Sequence, residues 1–450
     1  MATTLTVQRG NELPWEAVGG AVTFGLRTGQ GALWLRDDVV RQVGDVAGRL
    51  GTRYVRGPAL TGDAVLAQSP SGYGFEGVMS ALERMVGEGG GGVKPMVEVG
   101  SMPLVLARGS ESVGASKYRS SPPADWGKWE AFVDRLMGEL VGRFGVAELR
   151  GWLFTVWDRP DGERWAGTRE EYLELYERTA RAIKRADRGL RVGGPTVMDV
   201  GFAEAFVDGV ARESCDYVVV QVAMAEVLAG RDAWLMDLRR RVSSRLGDDV
   251  PVVVELACGD AGLDSAVAAG ELLGAVLRLG ERCDGVVVGS ATDIDDTDGF
   301  RFEPFHGGRG LMTVNGLPKA GLHALTWLAG MREGRRVDVE WGGDGLPKGA
   351  GGLAVERGPG EVAVLVWSGD RDLRLRLARL PGSTAEVLRV SPGAGSAFEV
   401  WEEMGRPAFV DRAVLERLEA ASGPVASSLW PASEALELPA GSVAMVTAKG

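Results

Sequence analysis

The sequence predicts a (β/α)8 barrel with an accessory antiparallel β-sandwich domain, an α/β fold. Three observations support this. From about residue 35 to residue 288, apolar β-branched runs of strand length alternate with amphipathic stretches of helical period, the signature of consecutive βαβ units around a parallel sheet. After about residue 328 the pattern changes to short segments of period two separated by Gly, Pro and Asp turns, which read as an antiparallel sandwich. The length, 450 residues, accommodates both. The expected domains are therefore residues 15–330 for the barrel and residues 1–14 plus 331–450 for the sandwich.

Taken in order, residues 37–50 form a helix and 53–56 a strand. Residues 77–87 form a helix with Val78, Leu82, Met85 and Val86 on one face, and 93–99 a strand. A long amphipathic helix over 126–144 precedes a strand over 149–157, and the helix over 169–185 starts after Thr168 as its N-cap. Strands at 191–194, 216–222, 250–256 and 285–288 alternate with helices at 202–213, 232–245 and 265–279. These seven strands with intervening helices stand one short of the eight that close as a barrel, and make that the natural closure. The sandwich strands are 352–357, 361–367, 373–377 and 385–390. Residues 436–447 add a last one, and 3–7 join the same sandwich.

Composition narrows the function. The chain is 45% hydrophobic and 25% charged, with a formal net charge of -12. That balance leaves no basic face for phosphates and excludes nucleic acid and anionic membrane as expected partners, leaving a small-molecule substrate. No basic segment followed by an apolar core opens the chain, and no run of about 18 apolar residues occurs, so a cytoplasmic location is expected. Cys215, Cys258 and Cys283 are odd in number, widely spaced and set in apolar sequence. They read as core thiols of a reducing compartment. Two histidines, His306 and His323, give little basis for a His-based metal centre or a Ser-His-Asp triad, and neither metal nor cofactor is expected. The glycine run at 89–92 reads as a loop, because no Gly-Lys-Ser/Thr follows it.

The run Gly151-Trp-Leu-Phe-Thr-Val-Trp157 stops abruptly at Asp158-Arg159-Pro160-Asp161. It reads as a buried parallel strand delivering polar groups at its C-terminal end, which in a barrel is the active-site rim. Longer ordered segments accompany it: Trp165-Ala-Gly-Thr-Arg-Glu-Glu-Tyr172 with Arg181-Ala-Ile-Lys184, Leu190-Arg-Val-Gly-Gly-Pro195, Pro304-Phe-His-Gly-Gly-Arg-Gly-Leu311 with Gly316-Leu-Pro-Lys319, and Phe398-Glu-Val-Trp-Glu-Glu-Met-Gly-Arg-Pro407. Together they resemble glycoside hydrolase family 39, the β-xylosidase and α-L-iduronidase family, over nearly the whole chain. The resemblance implies a retaining mechanism with two carboxyl groups about 5 to 5.5 Å apart, one a nucleophile and one a general acid/base.

On the family's pattern, Val252-Val-Val-Glu255-Leu-Ala-Cys258 corresponds to the strand ending in Thr-Glu-Trp, which makes Glu255 the nucleophile candidate. Its other reading is a structural carboxylate in a rim salt bridge. Asp158-Arg159 stands where the family has Asn-Glu with the Glu as acid/base, and an arginine does not lose its proton near neutral pH. Several sugar contacts also depart from the pattern. The family's Arg-aromatic-His becomes Arg56-Gly57-Pro58, its His-x-Tyr becomes Gln221-Val-Ala223, the Trp after the nucleophile becomes Ala257, and the Trp near the eighth strand becomes Gly289 or Ser290. Pyranoses are held by aromatic stacking and directed polar contacts, so these changes imply a wider pocket with fewer sugar-specific groups.

The candidate catalytic residues are Glu255, Asp158 and Arg159, with Arg56, Glu98, Trp157, Gln221 and Asp293 as substrate-binding candidates. Glu98, Met102 and Pro103 keep the family's Glu-x-x-x-Met-Pro turn and also read as scaffold. Arg159 either forms a bidentate ion pair with Glu255 or holds an anionic or carbonyl oxygen while Asp158 or Glu255 moves a proton. Asp293, Asp295, Asp296 and Asp298 follow the eighth strand and supply further carboxylates or a solvated surface. Three functions follow: a non-hydrolytic tailoring enzyme (cyclisation, isomerisation or elimination) acting on a small, partly apolar metabolite; a retaining β-glycosidase using Glu255 with a displaced acid; and a pseudoglycosidase that binds carbohydrate or protein without chemistry. The first leads, because inactivation alone gives no reason for an intact rim glutamate.

Overall fold

The computed structural model describes residues 3–12, 25–29, 31–57, 59–69, 72–87, 92–259, 262–295, 297, 299–343 and 346–450. Eight parallel strands form a closed ring: β1 (Gly25–Arg27), β2 (Tyr54–Gly57), β3 (Lys94–Val99), β4 (Leu153–Val156), β5 (Arg191–Val197), β6 (Tyr217–Ala223), β7 (Val252–Ala257) and β8 (Gly285–Thr292). The pairings of β8 with β7 and with β1 close it. Buried on both faces, strands such as β6 and β7 need no polar alternation, which is why they read as near-continuous valine runs.

Inward-facing side chains stack in layers inside such a barrel. The lower layer is apolar: Tyr54, Met96, Leu153, Tyr217, Val219, Val253 and Val287 form one buried cluster. Side chains alternate along a strand, so the residue two positions further on faces the same way. Stepping two residues from Tyr54, Met96, Val219 and Val253 reaches Arg56, Glu98, Gln221 and Glu255. The register aligns Arg27 with Arg56 and Gln221 with Glu255. A polar storey thus sits directly on an apolar one, at the C-terminal end of the barrel.

Helices wrap the ring. Trp126–Phe144 packs on Arg169–Ala186, with the Trp129 indole donating to Thr179 Oγ1 at 2.9 Å. Thr168 caps the latter helix as expected, in a full capping box: its hydroxyl accepts from the Glu171 amide at 3.2 Å, and the Glu171 carboxylate accepts from the Thr168 amide at 2.9 Å.

Nine further strands form one curled sheet, in the order Val425–Pro431, Thr384–Val390, Val443–Lys449, Glu361–Trp367, Gly351–Gly358, Arg335–Gly342, Thr3–Glu12, Leu373–Ala378 and Leu436–Leu438. All neighbours run antiparallel except Thr3–Glu12 with Leu373–Ala378. Leu375 and Val446 share one core cluster although four strands separate theirs in the order, so the sheet folds over on itself. Its other face, with Leu353, Val355, Leu365, Trp367 and Met445, joins the barrel's core near the helix Ala320–Met331.

The N-terminal strand joins this sheet as expected, while the expected boundary between residues 14 and 15 lies outside the described residues. The strand expected over 149–157 is shorter, because Val146–Leu149 is a helical turn. The strand expected over 436–447 is two, divided at Gly441 with φ 72°. β1, Arg335–Gly342, Val425–Pro431 and the helices Ala397–Glu403 and Arg412–Ser422 were not expected. All three cysteines are free and buried, and no helix among the described residues is long and apolar enough to cross a membrane.

Thr168→Ala removes one half of the capping box and should cost about 1 kcal/mol. Urea denaturation reads this directly; an unchanged midpoint would show that the cap contributes nothing.

Candidate active site

The polar storey is a network of three guanidiniums and three carboxylates. Arg56, fully buried, lies at its centre: Nη2 donates to Glu98 Oε2 at 2.8 Å and to Asp158 Oδ1 at 2.9 Å, and Nη1 donates to Glu255 Oε2. Arg27, from the end of β1, donates to Glu255 Oε1 through Nη1 and to Asp158 Oδ2 through Nη2 at 3.2 Å. Arg164, from the loop after β4, closes on Asp158 Oδ2, and its guanidinium lies 5.0 Å from the centre of the Tyr118 ring. Gln221 Nε2 donates to Glu255 Oε1 at 2.9 Å and reaches Asp158 Oδ1 at 3.5 Å.

The carboxyl groups occupy different electrostatic environments. Burial alone would raise Asp158, but Arg27, Arg56 and Arg164 outweigh it and hold the group well below the usual carboxylate range. Glu98 moves the other way: burial and the neighbouring charge of Asp158 raise it, against the opposing pull of Arg56 and the Ala59 amide. Glu98 Oε1 accepts from the Ala59 amide and from the Tyr118 hydroxyl, both at 3.1 Å.

Above this floor opens a cavity of about 570 Å³. Arg27, Asp158, Gln221 and Glu255 face it from below, and Ala223, Ala257, Gly289 and Ser290 line it where aromatic platforms were sought. Of the residues singled out in the sequence, Glu255, Asp158 and Gln221 therefore meet in one place. Arg56 and Glu98 belong to the same network but lie beneath the cavity, so their role as substrate contacts is corrected to support of those that line it.

Three expectations are corrected more sharply. Arg159 does not pair with Glu255. The chain leaves β4 through two non-glycine residues in the left-handed region, Trp157 (φ 67°) and Arg159 (φ 53°), and this turn carries Arg159 towards the loop after β5. There its Nε donates to Asp161 Oδ1 at 3.0 Å and its Nη1 lies 2.8 Å from Met198 Sδ, while Nη2 has no partner among the described residues. Asp161 is itself fixed by the Met198 and Asp199 amides at 2.7 and 2.8 Å. Trp157 is fully buried in the wall, edge-on to Tyr118 and Trp165, with its indole N–H on the Arg164 carbonyl at 2.7 Å, so it offers no stacking face. Asp293 is withdrawn into an ion pair with Lys319 at 2.6 Å and accepts from the Gly310 amide at 2.7 Å.

Asp295 does line the cavity, bonded to the Thr297 amide and hydroxyl at 2.8 and 2.6 Å. Asp296, Asp298 and Pro58 lie outside the described residues.

Arg27, Arg164 and Tyr118 were missed. Arg27 follows only Gly25 and Leu26 in a three-residue strand, too short to show a period. Arg164 immediately precedes a matched segment but belongs to none, and nothing local marks Tyr118.

The model of glycosyl hydrolases family 39 matches residues 22–224, which carry β1 to β6, Arg27, Arg56, Glu98, Asp158 and Gln221. The β-xylosidase of Geobacillus stearothermophilus is 25% identical over 88% of this chain and 85% of its own length. That of Caldicellulosiruptor saccharolyticus is 27% identical over 86% and 85%. The chain is similar to glycoside hydrolase family 39, the match covering the first six strands of the barrel. Its fold agrees: the structure of a family 39 β-xylosidase from Caulobacter crescentus superposes with a TM-score of 0.81, covering the whole of both chains at 23% identity. The family 39 enzyme of Xanthomonas axonopodis pv. citri superposes at 0.82 with 20% identity, over all of this chain and 98% of that one.

The opposite shifts of Asp158 and Glu98 have opposite signs in stability. Asp158, lowered, stabilises the fold above the ordinary carboxylate range, and this is lost on acidification. Glu98, raised, contributes most at acid pH, and its contribution falls as the pH rises through its folded-state value. Asp158→Asn should therefore cost about 3–5 kcal/mol at neutral pH by leaving buried guanidiniums undercompensated. Glu98→Gln should cost about 1–2 kcal/mol, mainly a lost hydrogen bond. Denaturation of both variants at about pH 5 and about pH 7.5 tests this; equal losses at neutral pH would show that Glu98 is an ordinary ionised counter-charge.

Proposed function

We propose that this family 39-like protein catalyses a non-hydrolytic tailoring step, a cyclisation, isomerisation or elimination, on a small and partly apolar metabolite bound at the barrel mouth. The observation that carries the reading is the end of β4. Glycoside cleavage by the family's mechanism needs a carboxylic acid there to protonate the leaving oxygen. Asp158 is held ionised by three guanidiniums, and Arg159 is a permanent cation.

The same groups suit a different task. Arg159 presents Nη2, without a partner among the described residues, beside the cavity, where it binds a carboxylate or carbonyl oxygen of the substrate. Glu255 accepts a proton from the adjacent carbon, and the electron pair released passes to that oxygen, whose growing negative charge the guanidinium offsets. Return of the proton at another carbon completes an isomerisation, and loss of a leaving group completes an elimination. The small side chains at 223, 257 and 289 leave room for apolar bulk.

A second reading draws support from Glu255 itself. It stands at the expected nucleophile position with both oxygens hydrogen-bonded by Arg27, Arg56 and Gln221, and two relatives carry the name β-xylosidase. A glycoside whose leaving group needs no protonation could then be cleaved without an acid.

Two experiments separate the readings. Incubation with extracts of the producing cells, followed by untargeted mass spectrometry, should reveal a consumed metabolite whose turnover falls at least about 100-fold in Glu255→Gln; turnover that persists in Glu255→Gln and Arg159→Ala removes the site assignment. Nitrophenyl xyloside, glucoside and iduronide should stay intact with added azide. Azide-accelerated cleavage that disappears in Glu255→Gln would establish the second reading instead.

A further inference from the structure

A second cavity, of about 230 Å³, lies where the curled sheet meets the barrel. Its walls include Leu277 and Glu281 from the barrel side and Arg336, Trp341, Gly351 and Trp367 from the sheet.

Two of its polar groups have no partner among the described residues. Buried indoles elsewhere are satisfied: Trp34 donates to Thr28 at 3.1 Å, Trp129 to Thr179 and Trp152 to Glu148 at 2.9 Å, and Trp165 and Trp401 to backbone carbonyls at 2.8 and 3.0 Å. Trp367 is only 7% exposed, yet its N–H has no acceptor among the described residues. Arg336 Nε is buried without a partner, and its nearest counter-charge, Glu281, stands 3.9 Å from Nη2. A buried donor without an acceptor costs roughly 1–3 kcal/mol, so the Arg336 Nε asks what accepts from it.

The walls also depend on missing side chains. Gly351 lies opposite Trp367 in the ladder, and a Cβ on it would enter the Trp367 ring. A Cβ on Gly352 would come within 3.0 Å of the Trp341 ring. Successive residues face opposite ways, so Trp367 stands on one side of this strand and Trp341 on the other, and both border the cavity.

We propose that this cavity is a second binding site, for a single pyranose ring of a neutral sugar. Indoles pack against the C–H face of such a ring. Ring hydroxyls both accept and donate, which matches the Trp367 and Arg336 N–H groups and the Glu281 carboxylate together. A fully charged ligand meets one like charge in either case, Glu281 for an anion and Arg336 for a cation. The volume falls below the range of about 300–1,000 Å³ that drug-sized ligands fill, which limits the ligand to one ring. None of this rests on the chemistry of the barrel mouth.

Fluorine NMR of the full chain labelled with 5-fluorotryptophan tests the site locally. Trp341→Phe and Trp367→Phe assign the two resonances, and methyl β-D-xyloside and methyl β-D-glucoside are titrated separately. At least one glycoside should shift both resonances saturably, with unchanged response in Glu255→Gln. In Arg336→Met, whose other tryptophan resonances report that the fold is intact, the half-saturation concentration should rise at least tenfold. Resonances that stay still with both glycosides, or that respond equally in Arg336→Met, would overturn the proposal.

Discussion

The guanidinium of Arg56 is the group on which the site depends. With no contact to solvent, it binds carboxylates delivered by three other strand ends, Glu98 on β3, Asp158 after β4 and Glu255 on β7. Removing one partner of such a buried assembly leaves uncompensated charge and costs about 3–5 kcal/mol. The assembly therefore fixes the relative position of those strand ends. It does so because the register aligns Arg27 with Arg56 and Gln221 with Glu255, while Glu98 lies two residues beyond Met96, the partner of Arg56. Guanidiniums and carboxyl groups hydrogen-bond one another throughout, and this lets so many ionisable groups remain inside a barrel.

That constraint separates two roles that a carboxylate at a barrel rim can have. A proton donor needs an environment that favours its neutral form, whereas an electrostatic or basic group needs one that leaves it charged. Asp158, clamped by three guanidiniums, has the second environment, and Glu98, one step below it, has the first. Glu98 is sealed beneath Arg56 and away from the cavity, so the group best suited to hold a proton is the one least able to deliver it to a bound molecule.

The barrel was legible because its signal is repeated: seven alternations of strand and helix leave a pattern that survives errors of two or three residues at each boundary. Glu255, Asp158 and Gln221 were legible because each ends a long apolar run. Arg27 was hidden by the brevity of β1, and Val425–Pro431 by its exposed residues, which give an edge strand no hydrophobic period. The errors at Arg159, Trp157 and Asp293 share one cause. Position in a motif fixes which strand end a residue belongs to but not the direction in which the turn points it. At the end of β4 two left-handed residues, one on each side of Asp158, reverse that direction locally, and no periodicity records it.

The turn also explains why position 159 and position 158 have to be read together. Arg159 is built into the loop after β5 through Asp161, which is in turn held by two backbone amides, so its guanidinium is fixed from outside the barrel. Asp158 is fixed from inside, by charges that an uncharged residue at that position would leave unbalanced. A carboxylic acid placed at 159 would enter a pocket arranged around Asp161, next to Asp158, and like charges at such range disfavour each other's ionised form. The electrostatics of β4 are consequently a property of the whole rim, set by Arg27, Arg56 and Arg164 as much as by the pair of residues that first marks the site in the sequence.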